Sequence, residues 1–181
     1  MAVVVNVAEN TKLMKALAGR TRNLNTVFRS RVGPSIARNL VKQFQSRGGH
    51  LGTPWDPLRP STVRMRTRTV GKASARRSTS RAGRAKAGFA TPERDTDRLY
   101  RSLTALVDPE GIRIYTASTM EWGTRIEYAG PQASGFRTQV FGRGRLREVP
   151  ARPVIPPEGF PVSITKTWDR AIAHFITTGR P

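Results

Sequence analysis

The side chains that could support catalysis are few in this chain and stand apart. His50 and His174 are its only histidines. His50 lies in a glycine-rich turn with Asp56 as the nearest carboxylate, and His174 follows Ala173 in the final apolar-periodic segment. A metal centre needs several converging donors, and general acid–base chemistry needs a positioned partner. The neighbouring sequence supplies neither, and the carboxylates are scattered. There is no cysteine, which removes disulfides and thiolate metal ligands. Gly142-Arg143-Gly144-Arg145 has the outline of a phosphate loop. It lacks the Gly-Lys-Ser/Thr ending and the apolar helix such a loop opens, so a hairpin tip is expected. The chain is expected not to be an enzyme and to use no cofactor or metal.

Phosphate contact without catalysis is the stronger chemical signal. Lys and Arg number 32 against 12 Asp and Glu, a net charge of +20. That excess repels itself and calls for a polyanionic partner. No carboxylate occurs between Asp56 and Glu93. Within that stretch stand Arg64, Arg66, Arg68, Lys72, Arg76, Arg77, Arg81, Arg84 and Lys86. Guanidinium groups suit phosphate because their planar fork makes paired hydrogen bonds. Aromatic residues for base stacking are absent from Arg64 to Lys86, which speaks against sequence-specific RNA or single-strand recognition. An acidic neighbouring subunit would satisfy the same cations. Both partners stay open from the residues alone.

The elements that would position these groups follow from periodicity. A hydrophobic content of 37% allows a modest core if part of the chain stays outside it. One domain over 1–181 is expected, with 63–92 as a basic extended arm or loop too poor in large apolar residues to build core. Val3, Val4, Val5 and Val7 suggest a short strand, with Asn10 or Thr11 capping a helix after it. Val27, Phe28, Val32, Ile36, Leu40 and Phe44 recur at helical spacing, so a helix runs from Leu24 to about Gln45, with Pro34 kinking or breaking it near Gly33. Arg47-Gly48-Gly49 ends it. Asp95 or Thr96 is expected to cap a short helix carrying Leu99, Tyr100 and Leu103. Strands are expected at 103–107 and 112–116 around an Asp108–Gly111 turn, then at 120–124, 136–141 and 146–149. Tyr128–Ser134 reads as a turn or short helix closed by Gly135. Ser163 is a candidate cap for a last helix to Thr178, stopped by Gly179. The fold class is α+β: an antiparallel sheet packed by the long N-terminal helix and the C-terminal helix. No signal peptide and no membrane span are expected.

Four segments then stand out as rigid joints rather than reactive sites. Trp55-Asp56-Pro57-Leu58-Arg59-Pro60-Ser61-Thr62 is an elbow stiffened by proline, with Trp55 buried beneath it. Asp97-Arg98-Leu99-Tyr100-Arg101-Ser102-Leu103 is helical. Glu127-Tyr128-Ala129-Gly130-Pro131-Gln132-Ala133-Ser134-Gly135 carries Tyr128 and Gln132, which read either as a subunit contact or as a core tyrosine beside a surface glutamine. Val149-Pro150-Ala151-Arg152-Pro153 is stiff and aims Arg152 at a directed ion pair or hydrogen bond.

In this order the segments resemble the phage virion-morphogenesis (tail-completion) family, in the Mu-type tail assembly sense. Trp55, Pro57, Leu58, Pro60 and Thr62 match its Trp-x-Pro-Leu-x-Pro-x-Thr stretch, and Leu99 and Ser102 match its Asp-x-x-Arg-Leu-x-x-Ser stretch. Tyr128, Ala129, Gln132 and Gly135 match its Tyr-Ala-x-x-His-Gln-x-Gly stretch, and Pro150, Ala151, Arg152 and Pro153 its Pro-Ala-Arg-Pro stretch. Pro131 stands where the family has histidine, and Ala133-Ser134 lengthens the step to Gly135. The resemblance implies a structural virion protein, made in the host cytoplasm, that completes the tail and joins it to the head. It implies a ring, commonly a hexamer, that contacts other neck or tail proteins and DNA in the channel. The alternative expectation, from charge alone, is a nucleic-acid-binding protein without sequence preference.

Overall fold

The computed structural model describes residues 7–60, 63, 97–139 and 146–181. The expected strand at Val3–Val5, the caps at Asp95 or Thr96, the cations from Arg64 to Lys86, Thr62 and the Gly142–Arg145 tip lie outside these residues. In chain order the elements are α1 (Val7–Thr21), α2 (Asn25–Val27), a π-helical turn (Phe28–Val32) and α3 (Gly33–Gln45). After a short turn of helix (Gly49–Leu51) come α4 (Arg98–Thr104), β1 (Gly111–Tyr115) and β2 (Met120–Thr124). Then follow α5 (Ala129–Ser134), β3 (Phe136–Thr138), β4 (Arg147–Val149) and α6 (Val162–Thr178). The fold is α+β. Instead of one sheet, the described strands form two separate two-stranded ladders, β1–β2 and β3–β4. In the second, Phe136 faces Val149 and Thr138 faces Arg147, antiparallel.

The chain divides into two compact units. The first comprises Met1–Ile36, Arg113–Trp122 and Pro161–Pro181. Val7, expected in a strand, opens α1 instead, so Asn10 and Thr11 lie inside the helix and not at its cap; Ala8, Glu9 and Lys12 are helix formers and the stretch does not alternate. The apolar stripe from Val27 does form helix to Gln45, and Pro34 does not break it. Proline has no N–H to continue the ladder, and the turn before it widens, so that Gly33 donates to the Phe28 carbonyl five residues back. Val27, Phe28, Val32, Ile36 and Phe175 are buried in this unit. Helix α6 packs on α1, α2 and the π turn. Arg20 of α1 donates to the carbonyls of Ile176 and Thr177 at 3.0 and 2.7 Å, placing a cation on the carbonyl end of α6. Trp168 Nε1 donates to Ser35 Oγ at 3.0 Å. Ser163 is not the cap of α6: Pro161 precedes the helix and its carbonyl accepts from Ile164 and Thr165.

The second unit comprises Ala37–Ile112 and Gly123–Phe160. Leu40 and Phe44 continue the stripe of α3 and are fully buried, and Leu51, Trp55, Leu99, Leu103, Ile126 and Val154 are buried with them in the core of this unit. Gln43 is buried too, and both ends of its amide are used, Nε2 donating to Thr53 Oγ1 and Oε1 accepting from the Leu51 N–H. The strand expected at 103–107 is absent. Leu103 lies four residues after Leu99 on the buried face of α4, so helical burial outweighs its strand pattern. Asp108–Gly111 links α4 to β1, and the hairpin turn lies at Thr116–Thr119, where the Thr116 N–H donates to the Thr119 carbonyl at 2.9 Å.

Helix α3 ends as expected, through left-handed residues. Arg47 has φ 53° and Gly48 φ 89°, and the Gly48 N–H donates to the Gln43 carbonyl at 2.9 Å. A Cβ on Gly48 would lie 2.0 Å from the Thr53 carbonyl oxygen and 2.6 Å from Trp55 Cδ1. The glycine is thus required by both backbone angle and space. Gly48→Ala is expected to destabilise the protein by at least about 2 kcal/mol, since strain and overpacking add. Gly52→Ala, at φ 83° with open space, carries only the left-handed cost of about 1 kcal/mol. Urea unfolding of the two variants checks this, and equal losses would contradict it.

Candidate functional site

Trp55 and Arg152 organise the second unit around a pair of crossed hydrogen bonds. Proline on either side of Leu58 denies the elbow a regular ladder, so its polar groups need partners elsewhere. The Trp55 indole N–H donates to the Pro153 carbonyl at 2.9 Å. In return Arg152 Nε and Nη2 donate to the Asp56 carbonyl at 3.3 and 3.4 Å. The first and fourth segments thus clasp each other across about a hundred residues of chain. Trp55 and Arg152 are only 6% and 7% exposed, so neither could leave its polar group to water. Phe44 meets the Trp55 ring edge-on at a centroid distance of 5.5 Å and the Tyr100 ring at 5.2 Å, which adds α4 to the same cluster.

The third segment joins through its backbone. The Arg152 N–H donates to the Gln132 carbonyl at 2.8 Å. Gly135 closes α5 at φ 77°, and a Cβ there would sit 3.0 Å from both the Ala151 nitrogen and the Val149 carbonyl oxygen. Only glycine lets the two segments come this close. Ser102, fully buried on α4, donates to the Leu99 carbonyl and accepts from Thr124 Oγ1 at 2.9 Å. All four sequence segments therefore meet in one unit.

Between them lies an apolar cleft of about 160 Å³, lined by Leu99, Leu103, Gly123, Thr124, Ala129, Gln132, Ala133, Arg152, Val154 and Ile155. A cavity of ~150 Å³ accepts a benzene-sized group, well below the space a typical metabolite needs. The cleft fits one apolar side chain. Among the described residues Gln132 Oε1 is buried without a hydrogen-bond partner, an acceptor that a visiting N–H would satisfy. The Tyr128–Gln132 pair inverts the core-tyrosine expectation. Tyr128 is 39% exposed, while the glutamine turns its oxygen inward.

Other expected residues fall outside this cluster or at its rim. Pro57 is exposed, and Leu58 and Pro150 are partly buried. His50 Nε2 pairs with Asn39 Oδ1 at 2.9 Å, and His174 Nδ1 lies 3.2 Å from the Arg180 carbonyl oxygen. The arm cations Arg64, Arg66, Arg68, Lys72, Arg76, Arg77, Arg81, Arg84 and Lys86 are outside the described residues. Among the described residues no group of acidic, histidine or cysteine side chains could hold a metal ion. No described helix is long and apolar enough to cross a membrane. The sequence reading missed Gly123, Thr124, Val154 and Ile155. Val154-Ile155 carried a usable signal, an apolar pair held between prolines directly after the Pro-Ala-Arg-Pro stretch.

The corner between α4 and β1 is braced by a charge pair. Arg98 donates from Nε and Nη2 to the Glu110 carboxylate. Hydrogen bonding from Arg98, aided by its charge, holds the Glu110 carboxyl below its ordinary value of 4.5. The Glu110 carbonyl meanwhile accepts from the Arg125 N–H at 2.8 Å and from Thr124 Oγ1. Comparison with family models, with curated proteins and with solved structures gives no match for this chain.

Two outcomes are expected. Trp55→Phe keeps the ring contact with Phe44 but orphans the Pro153 carbonyl, costing about 1–2 kcal/mol in urea unfolding. Arg59→Ala, which removes an exposed 3.5 Å contact to the Glu148 carbonyl, should stay within about 0.5 kcal/mol. Similar losses for both would refute the clasp. Because the Glu110 value is depressed on folding, its stabilising share is present at neutral pH. It is lost as pH falls below 4.5 through the folded-state value. A carboxyl NMR titration should place Glu110 below 4.5 in the folded protein and higher in Arg98→Gln; an unchanged midpoint would contradict the bracing role.

Proposed function

We propose that this chain is a structural virion protein of a tailed phage, a ring subunit that completes the tail and joins it to the head. The observation that carries the reading is the meeting of the four ordered segments in one unit. These segments carry the resemblance to the virion-morphogenesis family, and they are tied to one another largely through backbone carbonyls. Trp55, Leu99, Ser102, Gln132, Gly135, Arg152 and Pro153 hold the joint, and its one hydroxyl, that of Ser102, is fully buried and engaged by Leu99 and Thr124. A rigid joint with a single-side-chain cleft suits a part that offers a fixed shape to neighbours. In this reading the protein is not an enzyme, needs no cofactor, and is made in the host cytoplasm before it enters the virion. Its partners are further copies of itself and other neck or tail proteins.

The charge supports a second reading, a nucleic-acid-binding protein without sequence preference. The net charge is +20, and Lys12, Lys15, Arg22, Arg29 and Arg31 are exposed along the helices of the first unit. Neutralised phosphates release counterions, so such binding would weaken steeply with salt. The two readings are compatible where a ring surrounds DNA.

Light scattering across a salt series, with and without purified tails, separates them. The ring reading expects a defined oligomer, either free or formed on tails. A monomer at every concentration that ignores tails, yet binds duplex DNA with a steep salt slope, would replace it with the second reading.

A further inference from the structure

The cleft of the second unit is matched by an apolar corner of the same unit. Leu106 and Val107 follow α4 and are 52% and 92% exposed. Two adjacent apolar side chains exposed to this degree form a small apolar projection that a partner's cleft can cover. The corner is not loose. The Glu110 N–H donates to Asp108 Oδ1 at 2.9 Å and the Gly111 N–H to the Asp108 carbonyl at 3.0 Å. The Arg98–Glu110 pair braces the same turn from α4. A preformed knob loses little conformational freedom on docking.

Resting on the ring reading above, we propose that the Leu106–Val107 corner of one copy seats in the Leu99–Ile155 cleft of a neighbouring copy. Three observations fit this occupant. First, the cleft volume of about 160 Å³ suits one branched apolar side chain. Second, hydrogen bonding is complementary: Gln132 Oε1 is a buried acceptor without a donor, and the Leu106 and Val107 N–H groups take part in no hydrogen bond among the described residues. Third, the charges allow approach. The corner ends in Asp108, while Arg152 lines the cleft and Arg125 is exposed beside Thr124 of its wall. At this contact Asp108 of one copy thus offsets locally part of the repulsion that a net charge of +20 imposes on the whole chain. A knob and a hole formed by different residues, repeated from copy to copy, close into a ring when the rotation permits. The contact acts as the anchor within a larger interface.

The chain has no cysteine, so a pair of introduced thiols reports the contact cleanly. One preparation carries Val107→Cys and a second, of different tag mass, Ala133→Cys; both positions are exposed and leave the core intact. The two are mixed under mild oxidation at concentrations where the unmodified chain is assembled, on tails if assembly needs them. A disulfide joining the two tagged chains is expected in excess over either like-with-like product. Val107→Asp should raise the concentration for half-assembly about tenfold or more, with an unchanged melting temperature of the unassembled chain. If the unmodified chain assembles but no mixed disulfide forms and Val107→Asp assembles normally, the knob-and-cleft contact is wrong and the ring reading stands. Crosslinking of Ala133→Cys only to a tail protein would likewise overturn it. A chain that stays monomeric with and without tails would overturn the ring reading itself, and this contact with it.

Discussion

A buried indole N–H and a buried guanidinium must each find an acceptor, and here each finds a carbonyl on the other's segment. Trp55 reaches Pro153 and Arg152 reaches Asp56. The elbow's prolines deny it a ladder, so this exchange replaces one. Much of the second unit follows from it. Phe44 packs edge-on to the fixed indole, Gln132 gives its carbonyl to the Arg152 N–H, and Gly135 lets that segment lie against Ala151. The cleft is what remains between segments locked in this way.

Joining segments through backbone carbonyls has a consequence for function. A carbonyl acceptor is available on any residue, so the specificity lies in the donors and in the glycines that permit close approach. The side chains left facing outward are then free to differ in role, and those at the cleft are mostly apolar, with Thr124, Arg152 and one orphan acceptor among them. Such a lining suits the proposed role, a surface that recognises shape. It differs from a reacting site, where polar groups converge on a point.

The helices were legible because burial imposes a period. The stripe from Val27 to Phe44 and the run from Ile164 to Ile176 define their helices, and Gly48 and Gly179 sit where a left-handed residue ends each. Boundaries that depend on tertiary partners were not. Leu103 reads equally as strand or helix until Leu99 and the core select the helix, and Pro161 takes the place expected for Ser163 at the start of α6. Pro34 signals a disturbance, but only the ladder upstream decides between a break and a π turn. The candidate site was half visible. Proline, tryptophan and arginine in the ordered segments announced joints, whereas the walls at Gly123 and Thr124 arise from a hairpin whose pairing no local pattern specifies.

The central functional claim concerns place: a ring at the junction of tail and head. Electron microscopy of purified tails incubated with gold-labelled protein addresses it directly. The account predicts label confined to one end of the tail tube, as a collar of several copies. Label spread along the tube, or none at all under conditions where the protein is folded, would contradict it.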